Sequence, residues 1–398
     1  MVEATETLIK LLSQTSSGRG KSNKKVESFN YQRTATSDNY KFRVNRVAVE
    51  STISAGGAVV RVQLPAYKSI TGEVMLKLRV NAASAGTIDP YFGAKCLKSI
   101  KLRHSDVCYT IDDPAEVWAY LFSKMPDNIQ KQERKKVFGN PAADAAEQTI
   151  LLPLLQPWSA WLQPQMYQSS PPRHGARNCL FRTDLLRENC VFEIEFAPVS
   201  DFVSSGATGV QVKDVELLFE ELVCDGTVLA ELKKSLPRSV CAPEFTSQVL
   251  STTGAEQDID ITALLSRAPT HSLGFYVKKT AGANRDPFDI EEKLDLEEVE
   301  ADGRRIVSNR GHDACERQMK DILEGRVGTG RAAPNMPLIS FDNGGQYSVS
   351  HATQQLSNTS CNSVTCRIQA TAGTGKILAV HERLFLIDQQ TIKNRNIY

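Results

Sequence analysis

No run of apolar residues in this 398-residue sequence approaches the ~20 that a membrane-spanning helix needs. There is no Cys-x-x-Cys pair, no His-Glu-x-x-His and no Gly-x-Ser-x-Gly elbow. A compact zinc site, a zincin centre and an α/β-hydrolase nucleophile therefore have no support. Aromatic residues make up only 7% of the chain, and the net charge is +1, so the molecule as a whole is not a polycation seeking nucleic acid. Nine cysteines, an odd number at low density, read as reduced thiols. The opening stretch MVEATETLIKLLSQ carries acids where a signal peptide would carry positive charge. The expectation is a soluble protein made in the cytosol.

Two glycine-rich segments come close to phosphate-binding patterns and fail. TAGTGK, Thr371 to Lys376, has Ala370 at the first glycine position and Ile377 where the magnesium-holding hydroxyl belongs, so it is expected to be a hairpin turn. GRVGTGR, Gly325 to Arg331, lacks the spacing of a dinucleotide fingerprint. His312, Asp313 and Cys315 are too close in sequence for a nucleophile dyad. No catalytic residue, cofactor site or metal site is assigned.

Charge is present but segregated. From Gly18 to Arg46 there are eight Lys or Arg against two acids; from Asp286 to Asp302 there are nine acids against one Lys. Residues 1–39 read as an arm. Leu8, Leu11 and Leu12 share one face of a short amphipathic helix, and a Ser-, Gly- and Lys-rich segment with Arg19, Lys21, Lys24 and Lys25 follows. The arm is either an inward contact element or a solvated tail. The acidic run is either an exposed solvated loop or a divalent-cation site; lacking the Gly-centred Asp spacing of an EF-hand, it is expected to be a loop.

Strand-like alternation dominates from Tyr40 onward. Val74, Leu76, Leu78 and Val80 alternate with Met75, Lys77 and Arg79. Phe192, Ile194 and Phe196 alternate with Glu193 and Glu195, and SVTCRIQAT repeats the period. Gly56-Gly57, Asp112-Asp113-Pro114 and Asn343-Gly344-Gly345 punctuate the chain. Helices are expected at Pro114–Met125, Gln130–Val137, Thr227–Ser235 and Ala314–Leu323. The long strand VKDVELLFEELVCD, followed by GTVLAELKKSLP, marks a joint. The expected class is all-β: two consecutive antiparallel sandwiches, residues 40–225 and 238–398, joined by a helix at 226–237.

At this point the sequence resembles a known family. LKSIKLRHSDVCYTIDDPAEVWAYL follows the outline of a strand pair, Ile-Asp and an aromatic-rich helix, here Ile111-Asp112 and Trp118, with His104-Ser105-Asp106 where the family has a Gly-Gly turn. LLPLLQPWSAWL and then ARNCLFRTDLLRENCVFEIEF have the shape of the stretch that closes its first half. PLISFDNGG, QQLSNTSCNSVTCRIQA and ILAVHERLFLIDQQTIKNRNIY reproduce the order of its last strands. In these features residues 40–398 resemble the double jelly-roll major capsid proteins of nucleocytoplasmic large DNA viruses, virophages, tectiviruses and adenoviruses.

The resemblance implies a non-enzymatic virion protein. Homotrimers would form pseudo-hexagonal capsomers that contact neighbouring capsomers, with the N-terminal arm beneath them touching minor capsid proteins, an internal membrane or the genome. Trp158, Trp161 and Tyr167 are then either intersubunit aromatics or core residues of the first sandwich. Two other readings compete. One is the coat protein of a small RNA virus with a single jelly roll and a protruding domain, whose arm is usually richer in Lys and Arg. The other is a carbohydrate-binding β-sandwich, which needs exposed aromatic platforms.

Overall fold

A computed structural model describes residues 40–48, 52–53, 58–64, 66, 70–81, 91–123, 137–138, 147–162, 180–198, 201, 211–224, 230, 234, 238–266, 270–278, 294–308, 338–340, 362–370 and 373–396. Strands dominate, as the alternation predicts. In β4 (Ile70–Asn81), Val74, Leu76, Leu78 and Val80 are fully buried while Met75, Lys77 and Arg79 are half-buried. The strand lies flat on a core with its other face wet. β8 (Cys190–Phe196) shows the same strict alternation.

The remaining strands of the first half are β1 (Tyr40–Ala48), β2 (Thr52–Ile53), β3 (Val59–Leu64), β5 (Leu97–His104), β6 (Val107–Ile111), β7 (Glu147–Pro153) and β9 (Gln211–Cys224). Short helices α1 (Phe92–Lys95) and α2 (Pro114–Ser123) flank the β5–β6 hairpin. The second half holds β10 (Ser239–Thr252), β11 (Glu256–Asp260), β12 (Thr270–Lys278), β13 (Leu294–Ala301), β14 (Arg304–Ser308), β15 (Leu338–Ser340), β16 (Val364–Ala370), β17 (Gly373–Asp388) and β18 (Thr391–Asn396).

These strands form four antiparallel sheets: β1-β9-β4-β7, β3-β8-β5-β6, β10-β17-β12-β15 and β11-β16-β13-β14. β2 adds to β9, and β18 adds to β17. With those two set aside and each half renumbered from one to eight, both halves have the sheet orders 1-8-3-6 and 2-7-4-5. That is the doubled Greek key of a jelly roll, and it occurs twice.

Three of the expected elements fall at least in part among the described residues. The helix at Pro114 is present and ends at Ser123. The acidic run is not simply a loop: Leu294–Ala301 is an interior strand of its sheet, paired to β14 and β16, with Glu298 buried. A bulge between Leu296 and Glu298 absorbs one residue and breaks the two-residue period that would have marked the strand in the sequence. Nor is TAGTGK a hairpin turn. β16 pairs with β11 and β13, whereas β17 pairs with β10, β12 and β18, so the segment passes from one sheet to the other and Gly373 already begins β17. Of the joint at 226–237 only Ala230 and Lys234 are described, both helical, and Val137 is the one described residue of Gln130–Val137. The expected helix at Ala314–Leu323, the GRVGTGR segment and the His312 cluster lie outside the described residues.

Candidate functional site: the seam between the two sandwiches

The two jelly rolls are not beads on a string. One continuous apolar cluster contains the first core together with Val240, Ala242, Leu378, Val380, Phe385, Ile387 and Ile392 from the second half. The second roll has its own smaller core, built from Leu250, Ile261, Leu273, Phe275, Val299, Ile368, Ile377 and Ala379 among others. β17 serves both. Ile377 and Ala379 face the second core, and Leu378 and Val380, of opposite parity, face the first half. A strand buried on both faces must be apolar at consecutive positions, and Ile377-Leu378-Ala379-Val380 is.

α2 supplies the first set of seam contacts. One side of the helix enters the first core, where the Trp118 ring meets Phe138 at 5.0 Å, Trp161 at 5.2 Å and Phe122 at 5.9 Å. Its other side lies on the second roll. The Tyr120 ring meets Phe245 edge-on at 5.7 Å, and its hydroxyl shares a 3.0 Å hydrogen bond with Ser272. At the helix start Lys376 donates to Asp113 at 2.9 Å and pairs with Glu116. Burial and then the Asp113 charge push the Glu116 carboxyl up to about 8, with Lys376 pulling the other way. Burial works against the Lys376 ammonium, but the two carboxylates more than offset it and hold it above the ordinary lysine value.

The β5–β6 hairpin and β18 supply the second set. The Tyr109 hydroxyl donates to the Pro243 carbonyl at 2.8 Å, and its ring packs edge-on against Phe385 at 5.5 Å. Pro243 sits on β10, an edge strand of its sheet among the described residues, where a residue without an N–H is tolerated. Burial raises the Tyr109 phenol well above its usual range and keeps it a donor. β18 folds back from β17 through a turn in which Gln389 and Gln390 both have positive φ. It then reaches across the seam: Arg187 N–H donates to the Gln390 carbonyl at 3.0 Å, and Ile392 N–H donates to His104 Nδ1 at 3.4 Å. An Nδ1 that accepts requires a neutral ring. Burial lowers the His104 pKa below its usual value, partly offset by Glu188.

Trp158 and Trp161, read from the sequence as either intersubunit or core, are only 3% and 6% exposed. Trp158 stacks on Phe181 at 4.2 Å and touches Phe385 at 6.3 Å, so it supports the seam from the first core. Tyr167, the arm leucines Leu8, Leu11 and Leu12, and Arg19, Lys21, Lys24 and Lys25 lie outside the described residues. Of the seam residues, Tyr109 and Phe385 were not singled out in the sequence, and His104 entered only as part of the turn that stands where the family has Gly-Gly, whereas the structure makes it the last residue of β5. Lys376 was set aside with its imperfect phosphate loop.

No family model and no curated protein matches the sequence. Solved structures do match the fold. PBCV-1 VP54, fitted into a cryo-EM reconstruction of the virophage Sputnik, aligns with a TM-score of 0.62 at 12% identity, over 92% of this chain and 100% of that one. The chain has the double jelly-roll fold. The major capsid protein of Faustovirus aligns with a TM-score of 0.56 at 9% identity, covering 97% of this chain and 98% of its own. The mavirus major capsid protein aligns at 0.52 and 9% identity, covering 91% and 90%. Each match spans both jelly rolls, so what is shared is the double jelly roll as a whole.

Proposed function

We propose that this double jelly-roll protein is the major capsid protein of an icosahedral DNA virus, a structural rather than catalytic component of the virion. Three copies would build a capsomer of six jelly rolls that meets neighbouring capsomers. The observation that carries the proposal is the repeated strand order in two rolls welded by a common apolar core. A shell tile must keep its two halves in fixed relation, and a seam that combines packing, hydrogen bonds and a buried charge cluster does so. A hinge between independent domains would be more polar and smaller.

The same observation counts against an RNA-virus coat protein with one jelly roll and a different protruding domain, because the second half repeats the first. A carbohydrate-binding role needs exposed aromatic platforms. Among the described residues the large exposed apolar side chains are Val59, Leu151 and Val249, none of them aromatic. The N-terminal arm, through Arg19, Lys21, Lys24 and Lys25, would lie beneath the capsomer against a minor protein, an internal membrane or the genome.

Light scattering on the purified full chain tests the proposal. The expected particle has three times the 43.9 kDa chain mass. A monomer at every concentration and salt condition, with no particles by electron microscopy, overturns it.

A further inference from the structure

The equivalent outer sheets of the two rolls carry the same charge device with the signs exchanged. In the first roll, Glu193 sits at the middle of β8, in register with Arg61 on β3 and Lys101 on β5. It is shared by three cations: Arg61 at 3.2 Å, Arg103 at 3.5 Å and Lys101 at 3.8 Å. In the second roll the corresponding strand is β16. There Arg367 is in register with Asp258 on β11 and Glu298 on β13. It is shared by three carboxylates: Asp258 at 2.7 Å, Glu256 at 3.3 Å and Glu298 at 3.7 Å. The triplet Arg61–Glu193–Lys101 is thus answered by Asp258–Arg367–Glu298 at the same topological place.

Arg305 also pairs with Glu298, and Lys98 with Glu195 at 2.7 Å. The first face thus sets Arg61, Lys98, Lys101 and Arg103 against Glu193 and Glu195, and the second sets Glu256, Asp258, Glu298 and Glu300 against Arg367 and Arg305. The first face keeps a positive excess and the second a negative one. The excess charge points outward. Arg61 and Arg103 are 72% and 52% exposed, and Asp258 and Glu256 are 57% and 45% exposed. The seam is made by α2, β5, β6, β10, β17 and β18, while these four outward side chains remain exposed.

We propose that these faces are the two halves of a contact between copies: the basic β3–β8–β5–β6 face of one chain docks on the acidic β11–β16–β13–β14 face of another. The proposal rests on the capsid reading and adds to it which surfaces meet and in what polarity. Such a contact joins unlike patches, so it closes into a ring or continues to further copies, and like faces repel, which excludes the wrong pairing. Because the charges are at the surface, the contact weakens as salt rises.

The test uses two double variants of the full chain, Arg61→Glu with Arg103→Glu, and Glu256→Lys with Asp258→Lys, followed by sedimentation velocity at low and moderate salt. The first variant has two acidic faces and the second two basic ones. Each alone is expected to associate about tenfold more weakly than wild type or worse. An equimolar mixture is expected to recover association, since every reversed face then finds a complementary one. Unchanged thermal midpoints confirm that both variants fold. If each variant associates like wild type, or the mixture stays as weak as its components, the sheet-face contact is wrong while the capsid reading stands. A wild-type chain that never associates removes the capsid reading itself.

Discussion

The two jelly rolls share one strand order but are filled differently. Among the described residues, the large fully buried aromatic side chains include Trp118, Tyr120, Phe92, Phe122, Phe138, Phe181, Phe192 and Phe196 from the first roll, and Phe275 and Phe385 from the second, the last of which lies in the seam. The first core is broad and aromatic; the second is a compact aliphatic one. Among the described residues the second core is the smaller of the two, and a smaller core holds a sandwich with less margin. The second roll makes up the shortfall by laying β10 and β17 on the first. The lesson is that topology repeats while stability does not: one roll is a base and the other leans on it.

The largest expected effect comes from the base. Trp118→Ala empties the centre of the aromatic cluster and is expected to cost about 4 kcal/mol. All three tryptophans, at 118, 158 and 161, lie in the first roll, Trp158 at the seam, so their fluorescence reports mainly that roll, while far-UV circular dichroism reports both. In denaturant, both signals of Trp118→Ala should move together to lower midpoint. A circular dichroism transition left at the wild-type midpoint would mean that the second roll stands by itself.

Phe385→Ala attacks the seam instead. The expected loss is about 3 kcal/mol, and the fluorescence and dichroism transitions should separate, because two weakly joined rolls no longer unfold as one unit. Coincident transitions in this variant would show that α2, not β17, carries the coupling. Tyr109→Phe is the gentler version: it keeps the ring on Phe385 and leaves the Pro243 carbonyl without its donor, for about 1–2 kcal/mol in the same denaturant titration.

Sequence reasoning found the strands whose period is undisturbed, such as the Val74–Val80 part of β4, β8 and β16, because one face buried and one wet imposes a period of two. It missed β13, where a bulge shifts the period and consecutive acids suggest solvent. Yet Asp302-Gly303 follows directly, both residues have positive φ, and the dipeptide is a strong hairpin signal. The seam was harder to see. Its residues come from positions as far apart as Tyr109 and Pro243, or Asp113 and Lys376, and nothing local announces such a pair. The one legible trace was β17, apolar at both parities, which says that something covers its second face but not what. Trp158 and Trp161 could not be divided between core and interface from composition alone, since both environments favour aromatics.

The prediction that best separates the seam's packing from its charges belongs to Glu116. Its folded pKa is raised from the ordinary carboxyl value to about 8, first by burial and then by Asp113. Between the ordinary carboxyl range and about pH 8 the folded state therefore holds more protons than the unfolded one, and stability contributed at this site falls as pH rises. Glu116→Gln keeps the shape and removes the titration. The variant should match wild type near pH 5 and gain on it steadily toward pH 8, while Lys376 keeps Asp113 as its partner. His104 acts in the opposite sense: its lowered pKa means that stability is lost as pH falls below the ordinary histidine value, when protonation removes the acceptor for Ile392 N–H. Thermal midpoints of wild type and Glu116→Gln across pH 5 to 8 check the first trend. A constant difference over that range would mean that Lys376 neutralises Glu116 completely and that the cluster behaves as a simple ion pair.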